Sequence, residues 1–190
     1  MKPIARDEVL GLGEYEQVRE RFRGRIIELK KRRRIRINDE MSLVFENHDT
    51  MLLQVQEMVR TERITNEKAI AHELTTYNEL VPGDSELSAT LFIEIPDQQR
   101  REEMLVRWCA IEEHVSFAID NESCRATFEE GRRDAGRAAA VQYLKFPLTK
   151  AAAAAVLAKH PGALVFDHPH LQSRVELAPA LVSSLADDLA

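Results

Sequence analysis

The stretch from Phe45 to Ile64, FENHDTMLLQVQEMVRTERI, constrains this chain more than any other. Asn47 or Asp49 can cap a helix running to about Ile64, because a short side-chain oxygen there satisfies first-turn N–H groups that have no helical partner. Met51, Leu52, Val55, Met58 and Val59 recur at spacings of three and four and make one apolar stripe. At about 100° of rotation per residue, Glu62 falls near the middle of that stripe. A carboxylate on an apolar face must be paired, protonated, metal-bound or able to reach water.

Leu53, Glu57, Arg60 and Ile64 share a second face, with Gln54 and Thr61 nearby. Apolar residues on two sides predict a helix packed between layers. Glu57 and Arg60 are spaced for an intrahelical ion pair, and Arg60 or Arg63 is placed to neutralise Glu62. Two readings of Glu62 follow, a structural pairing network or a ligand or metal site.

The run ENHDT through QVQEMVRTERI, residues Glu46 to Ile64, resembles a bacterial family known only as a domain of unknown function. Weaker echoes lie in Tyr77–Pro82 and Leu87–Ile95. The resemblance extends over most of the chain. Genes of that family often lie near rubrerythrin and an iron–sulfur protein like heterodisulfide reductase. The resemblance therefore implies a redox or oxidative-stress setting and a redox-protein partner, but it supplies no reaction and no catalytic residue.

The chain of 190 residues is long enough for one well-filled core, with a C-terminal subdomain over 139–190 as an option. No run approaches the roughly 20 apolar residues of a membrane helix. Acids stand in MKPIARDEVLGL where a secretory signal needs an apolar core, which predicts a cytoplasmic protein. Cys109 and Cys124 are the only cysteines and form no CxxC pair, so no iron–sulfur cluster is expected from this chain alone. Both read as free thiols, with Cys109 buried beside Trp108.

Charge is unevenly spread. Residues 1–40 hold 12 Lys and Arg against 8 Asp and Glu, a balance of +4, while residues 41–190 hold 14 against 24, or −10. Tyr15, Val18, Phe22, Ile26 and Leu29 predict an amphipathic helix over Glu14–Lys31 whose cations gather at its C-terminus. Lys30, Lys31, Arg32, Arg33, Arg34 and Arg36 are candidates for a polyanion or an acidic protein partner. Against nucleic acid stand the overall charge of −6 and the lack of interleaved aromatic residues. Arg34-Ile35-Arg36-Ile37 alternates like an edge strand, where arginine discourages edge-to-edge pairing.

The remaining elements read in order. A strand at Met41–Phe45 precedes the central helix, and a second helix from Asn66 carries Ile70, Leu74 and Tyr77 inward. His72 and Glu73 are not an HExxH motif, because no second histidine follows. Glu73 and Tyr77 share a face that can meet Glu57 or Glu62. Leu87–Ile95 is a strand and Asp97 caps a helix to about Trp108. His114–Ile119 and Cys124–Phe128 form a hairpin around Asp120-Asn121-Glu122-Ser123, with Glu112 and His114 on one face of an extended segment. Gly131–Ala138 is a charged connection without the GK[ST] ending of a phosphate loop. Ala139–Leu148 is a strand, and Thr149 caps an alanine-rich helix ended by Pro161-Gly162. Ala163–Phe166 is a strand, His168-Pro-His170 a loop and Ala178–Leu189 a helix.

These elements predict an α+β fold, a predominantly antiparallel sheet flanked by helices, with the long central helix near 49–64. The function expected first is an accessory or binding protein. The second class is a metal-binding protein or metal-dependent enzyme, using Glu62 with Glu46, His48, Glu57 or His72 on iron, manganese or zinc. At least three of these ligands must converge for that class to hold.

Overall fold

The computed structural model describes residues 1–128 and 136–190. The Gly131–Ala138 connection lies, but for its last three residues, outside them.

In chain order, α1 (Leu12–Arg33) leads into β1 (Arg34–Asn38), β2 (Met41–Glu46), α2 (His48–Thr61) and α3 (Glu67–Asn78). Next come β3 (Glu86–Ile93), α4 (Gln98–Arg107), β4 (Val115–Ile119) and β5 (Glu122–Arg125). β6 (Val141–Pro147), α5 (Lys150–Leu157), β7 (Gly162–His168), β8 (Leu171–Glu176) and α6 (Pro179–Leu189) complete the chain. The fold is α+β with antiparallel pairing throughout, in two four-stranded sheets ordered β1-β2-β3-β6 and β5-β4-β7-β8. β1 is an edge strand, as its alternating arginines predict. β6 and β7 belong to different sheets, so the segment from residue 139 is shared between both.

The sheets meet through aromatic side chains. Phe45 of β2 and Phe146 of β6 lie with ring centroids 6.1 Å apart, and each lies 6.4 Å from Phe117 of β4. All three are at most 1% exposed. Strand alternation puts Met41, Leu43 and Phe45 on this inner face. It sends Ser42, Val44 and Glu46 to the opposite face, yet every one of the six β2 residues is buried. That face is therefore also covered, by α1 and its neighbours. A second cluster, with Ile4, Val9, Met51, Val55, Val59, Ile70, Leu74 and Tyr77, joins the N-terminal segment to α2 and α3.

Local chemistry sets the helix ends. Asn47 is the cap of α2: its side chain accepts from the Thr50 N–H (3.1 Å), while Thr50 Oγ1 accepts from the Asn47 N–H (2.8 Å). Asn66, Asp97 and Thr149 cap α3, α4 and α5 in the same way.

Three expectations change. α2 stops at Thr61 and Arg63 adopts φ 51°, so the chain leaves the helix directly after Glu62, whose side chain is exposed rather than held on a covered apolar stripe. Glu112 and His114 lie in a 3-10 turn rather than an extended segment. Glu122 and Ser123 belong to β5, leaving a two-residue turn in which Asp120 takes φ 49°. β8 carries its side chains in exposed and half-buried alternation, too weak an apolar pattern to separate from a loop.

Candidate functional site

Only Tyr15, Ile26 and Arg33 of the 22 residues of α1 are buried. Its predicted stripe is thus only partly covered, leaving a groove of about 630 Å³ beside Val18, Phe22 and Leu52. The buried polar group there, Gln56, is fully satisfied: it accepts from the Leu10 N–H (2.9 Å) and donates to the Leu10 carbonyl (3.0 Å).

A smaller cleft, about 280 Å³, is different in kind. α1 contributes Lys30, β2 Glu46, α2 Met51 and Gln54, α3 Tyr77, β3 Thr90 and Phe92, and β6 Tyr143. Glu46 reaches it because it ends β2 on the face opposite Phe45. Its side chain is 2% exposed. Oε1 accepts from Thr90 Oγ1 at 2.8 Å and lies 3.5 Å from Lys30 Nζ. Oε2 lies 3.4 Å from the same ammonium but accepts no hydrogen bond. A buried carboxylate normally fills its acceptor sites, because an unmet one costs about 1–3 kcal/mol or more. Here the residue that carries the unmet oxygen lines a cleft together with three aromatic residues, Tyr77, Phe92 and Tyr143.

The structure brings Lys30, Glu46 and Tyr77 together and sends the other sequence candidates elsewhere. Glu57 accepts from Arg19 through both oxygens (2.8 and 2.9 Å) and from the Tyr15 hydroxyl (2.7 Å). Those Arg19 hydrogen bonds hold its carboxyl below the usual range, and burial pushes the Tyr15 phenol up. The partner expected for Glu57 was Arg60, which instead donates to Glu16. Glu62 and Arg63 are exposed at the end of α2, and His72 is exposed on α3. Glu73 is half-buried on α3, and its face-mate Tyr77 turns to Glu46 rather than to Glu57 or Glu62. His48 pairs with Glu8 at 3.1 Å. Among the described residues no group of three or more His, Cys, Asp or Glu side chains converges on one point.

Most of the basic run is engaged in ion pairs or buried. Lys31 pairs with Glu28, Arg34 with Glu94 and Arg36 with Asp39, while Arg33 is fully buried. Arg32 is exposed. Sequence reasoning included Glu46 and Lys30, but in separate roles. Thr90, Gln54, Phe92 and Tyr143 were missed, since their relation to Glu46 depends on strand pairing across the chain.

A second titratable cluster sits where β7 turns into β8. His168 is 4% exposed, and its ring stands 5.0 Å from His114 and 5.7 Å from His170. Its Nδ1 accepts from the His170 N–H (3.2 Å), which leaves the proton on Nε2 to donate to the Cys109 carbonyl (3.1 Å). Both nitrogens serve the fold. Burial, helped by the neighbouring imidazoles, lowers its pKa despite the Cys109 carbonyl and Glu112. The unfolded chain therefore takes up this proton first as pH falls through about 6.5, so acidification destabilises the fold from there until the folded-state value is passed. Urea unfolding at pH 7, 6 and 5 is expected to show falling stability, with a shallower decline in His168→Gln. Equal slopes for the two proteins would assign the decline to other groups.

A family model described as a protein of unknown function, DUF3501, matches residues 3–189. No curated protein matches the chain. A crystal structure at 1.90 Å of a protein of unknown function from Burkholderia pseudomallei K96243 is similar throughout, with a TM-score of 0.94 and 35% identity over 100% of both chains. Among the described residues no helix is long and apolar enough to cross a membrane.

Proposed function

The chain belongs to the DUF3501 family, and from that premise we propose that it is a binding protein for a small organic ligand, held in the Glu46 cleft. The setting proposed is the redox or oxidative-stress system that the family's gene neighbours imply, with the protein as an accessory component. One observation carries the ligand reading. A carboxylate that is 2% exposed keeps one oxygen without a hydrogen bond at a cleft of about 280 Å³. Ligand clefts combine mostly apolar walls with a few convergent polar groups. Met51, Leu80, Phe92, Val141 and the two tyrosine rings provide the walls, and Glu46, Lys30, Gln54 and Thr90 the polar groups.

A thermal-shift screen of small organic molecules, repeated on Glu46→Gln, tests this reading. A ligand at 100 times its Kd stabilises by about 2.7 kcal/mol. For a chain of this size each kcal/mol moves Tm by about 2–4 °C. Hits are expected to shift the wild-type protein by roughly 5–10 °C and to lose most of that shift in a folded Glu46→Gln variant. Undiminished shifts in the variant would place the binding elsewhere.

A further inference from the structure

We propose that the ligand is a cation, a primary ammonium carried on a small apolar or aromatic body, and that Lys30 is its intramolecular stand-in. This deepens the reading of the Glu46 cleft and rests on it.

The argument begins with a mismatch in distances. Charge-assisted N⁺–H···O⁻ contacts lie at about 2.7–2.9 Å. Lys30 Nζ stands 3.5 Å from one Glu46 oxygen and 3.4 Å from the other. It straddles the carboxylate without making a close bond to either oxygen. Thr90 serves Oε1 well at 2.8 Å, and Oε2 has no hydrogen bond. The protein therefore seats a cation beside the charge of Glu46 without closing a short bond to it.

Lys30 can vacate that position. Its side chain is 26% exposed, and its four-carbon stem can lie along an apolar wall while the ammonium reaches water. No such exchange is open to Glu46, which is 2% exposed and is fixed by Thr90 and by the end of β2.

The ligand's charge follows from what the cleft would do to each alternative. An anion entering beside Glu46 meets a buried like charge, whose ion pair among the described residues is with Lys30. A neutral alcohol can donate to Oε2 but adds nothing to balance the carboxylate. An ammonium does both, and when it displaces Lys30 the formal charge beside Glu46 is unchanged. Tyr77 and Tyr143 also line the cleft, and aromatic faces attract cations through their quadrupoles, as the Phe92 ring beside them already does with the Arg34 guanidinium, 5.2 Å from its centroid. The volume of about 280 Å³ restricts the body to a small one.

Titration calorimetry on the full chain with three probes of similar shape tests the inference: 2-phenylethylammonium, 2-phenylethanol and phenylacetate. The ammonium is expected to bind about 10–100-fold more tightly than the alcohol, as a charged hydrogen bond would provide. Phenylacetate is expected to bind least. Glu46→Gln should lose that preference. Lys30→Met should tighten ammonium binding about tenfold, because the internal competitor has gone.

This last sign is the discriminating one, and it is readable even where Glu46→Gln does not fold. Weaker ammonium binding in Lys30→Met overturns the stand-in role. Tighter binding of phenylethanol or phenylacetate than of the ammonium overturns the cationic ligand class but leaves the cleft a ligand site. If none of the three binds the folded wild-type protein, this inference falls, while the small-ligand reading beneath it falls only if the thermal-shift screen also yields no hit that depends on Glu46.

Discussion

Arg33→Met is expected to lower stability by about 3–5 kcal/mol, the range found when one partner of a buried ion pair is removed. Arg33 is 0% exposed at the end of α1, where it ties three parts of the chain together. Nε donates to the Phe45 carbonyl (2.8 Å) and Nη2 to the Glu46 carbonyl (3.1 Å). Nη1 donates to Ser184 Oγ (2.8 Å), and Nη2 also pairs with the Asp188 carboxylate. Asn47 Nδ2 donates to the second Asp188 oxygen at 3.2 Å, so the cap residue of α2 belongs to the same network. Methionine would fill much of the volume and leave Asp188 buried with Asn47 alone. Burial already pushes the Asp188 carboxyl up, against the pull of Arg33. Removing one partner leaves the other charge buried without its counter-charge, which removing both avoids. Combining Arg33→Met with Asp188→Leu should therefore recover roughly 1–3 kcal/mol relative to the sum of the single changes. Urea unfolding of the four proteins measures this, and strict additivity would show that the two side chains act independently.

Arg33 also marks how far the sequence was readable. It stands in KKRRRIRI, and local pattern places it with its neighbours on a basic surface. Its partner lies 155 residues away, so no periodicity in either segment announces the pair. Local signals did succeed where the decisive interaction is local. Asp97 and Thr149 were read as caps, Asn47 as one of two cap candidates with Asp49, and Asn66 as the start of a helix, and each accepts from an N–H three residues ahead. The local pattern over Met41–Phe45 was enough to find β2, which the structure extends by one residue to Glu46. It could not show that Thr90 and Lys30 would meet Glu46 there, since those contacts span 44 and 16 residues.

Glu62 failed for another reason. Its N–H still bonds to the Met58 carbonyl at 2.9 Å, so its position follows the helical period, but residues 61–63 are exposed, and no glycine or proline near Glu62 announces the end of α2. In the structure Arg63 takes the left-handed backbone conformation itself, and its N–H bonds to the Arg60 carbonyl at 3.2 Å. The carboxylate that seemed trapped on an apolar face is exposed. The trapped carboxylate is Glu46, sixteen residues earlier.

Phe117→Ala is expected to cost about 3–5 kcal/mol, as for other fully buried aromatic side chains, and to change the sign of a second substitution. Phe117 is the one contribution of the β5-β4-β7-β8 sheet to the three-ring contact with Phe45 and Phe146. Its cross-strand partner on β7 is Leu164, but its ring reaches along the strand to Gly162: a Cβ built there would lie 3.3 Å from Phe117 Cζ and 3.4 Å from the Ala118 carbonyl oxygen. The ring, 1% exposed and held by the two other phenylalanines, has little room to move aside. Gly162→Ala alone should therefore destabilise, by about 1–3 kcal/mol if it behaves like other overpacked core positions. That is more than the roughly 0.4–1 kcal/mol it gains by restricting the unfolded chain. With Phe117 cut back to alanine, the new methyl group points into vacated space and only the contact with the Ala118 oxygen remains. Gly162→Ala should then be neutral or slightly stabilising, giving a coupling of about 1–3 kcal/mol in a four-protein cycle. Zero coupling would mean that the backbone of β7, rather than the Phe117 ring, absorbs the added methyl group.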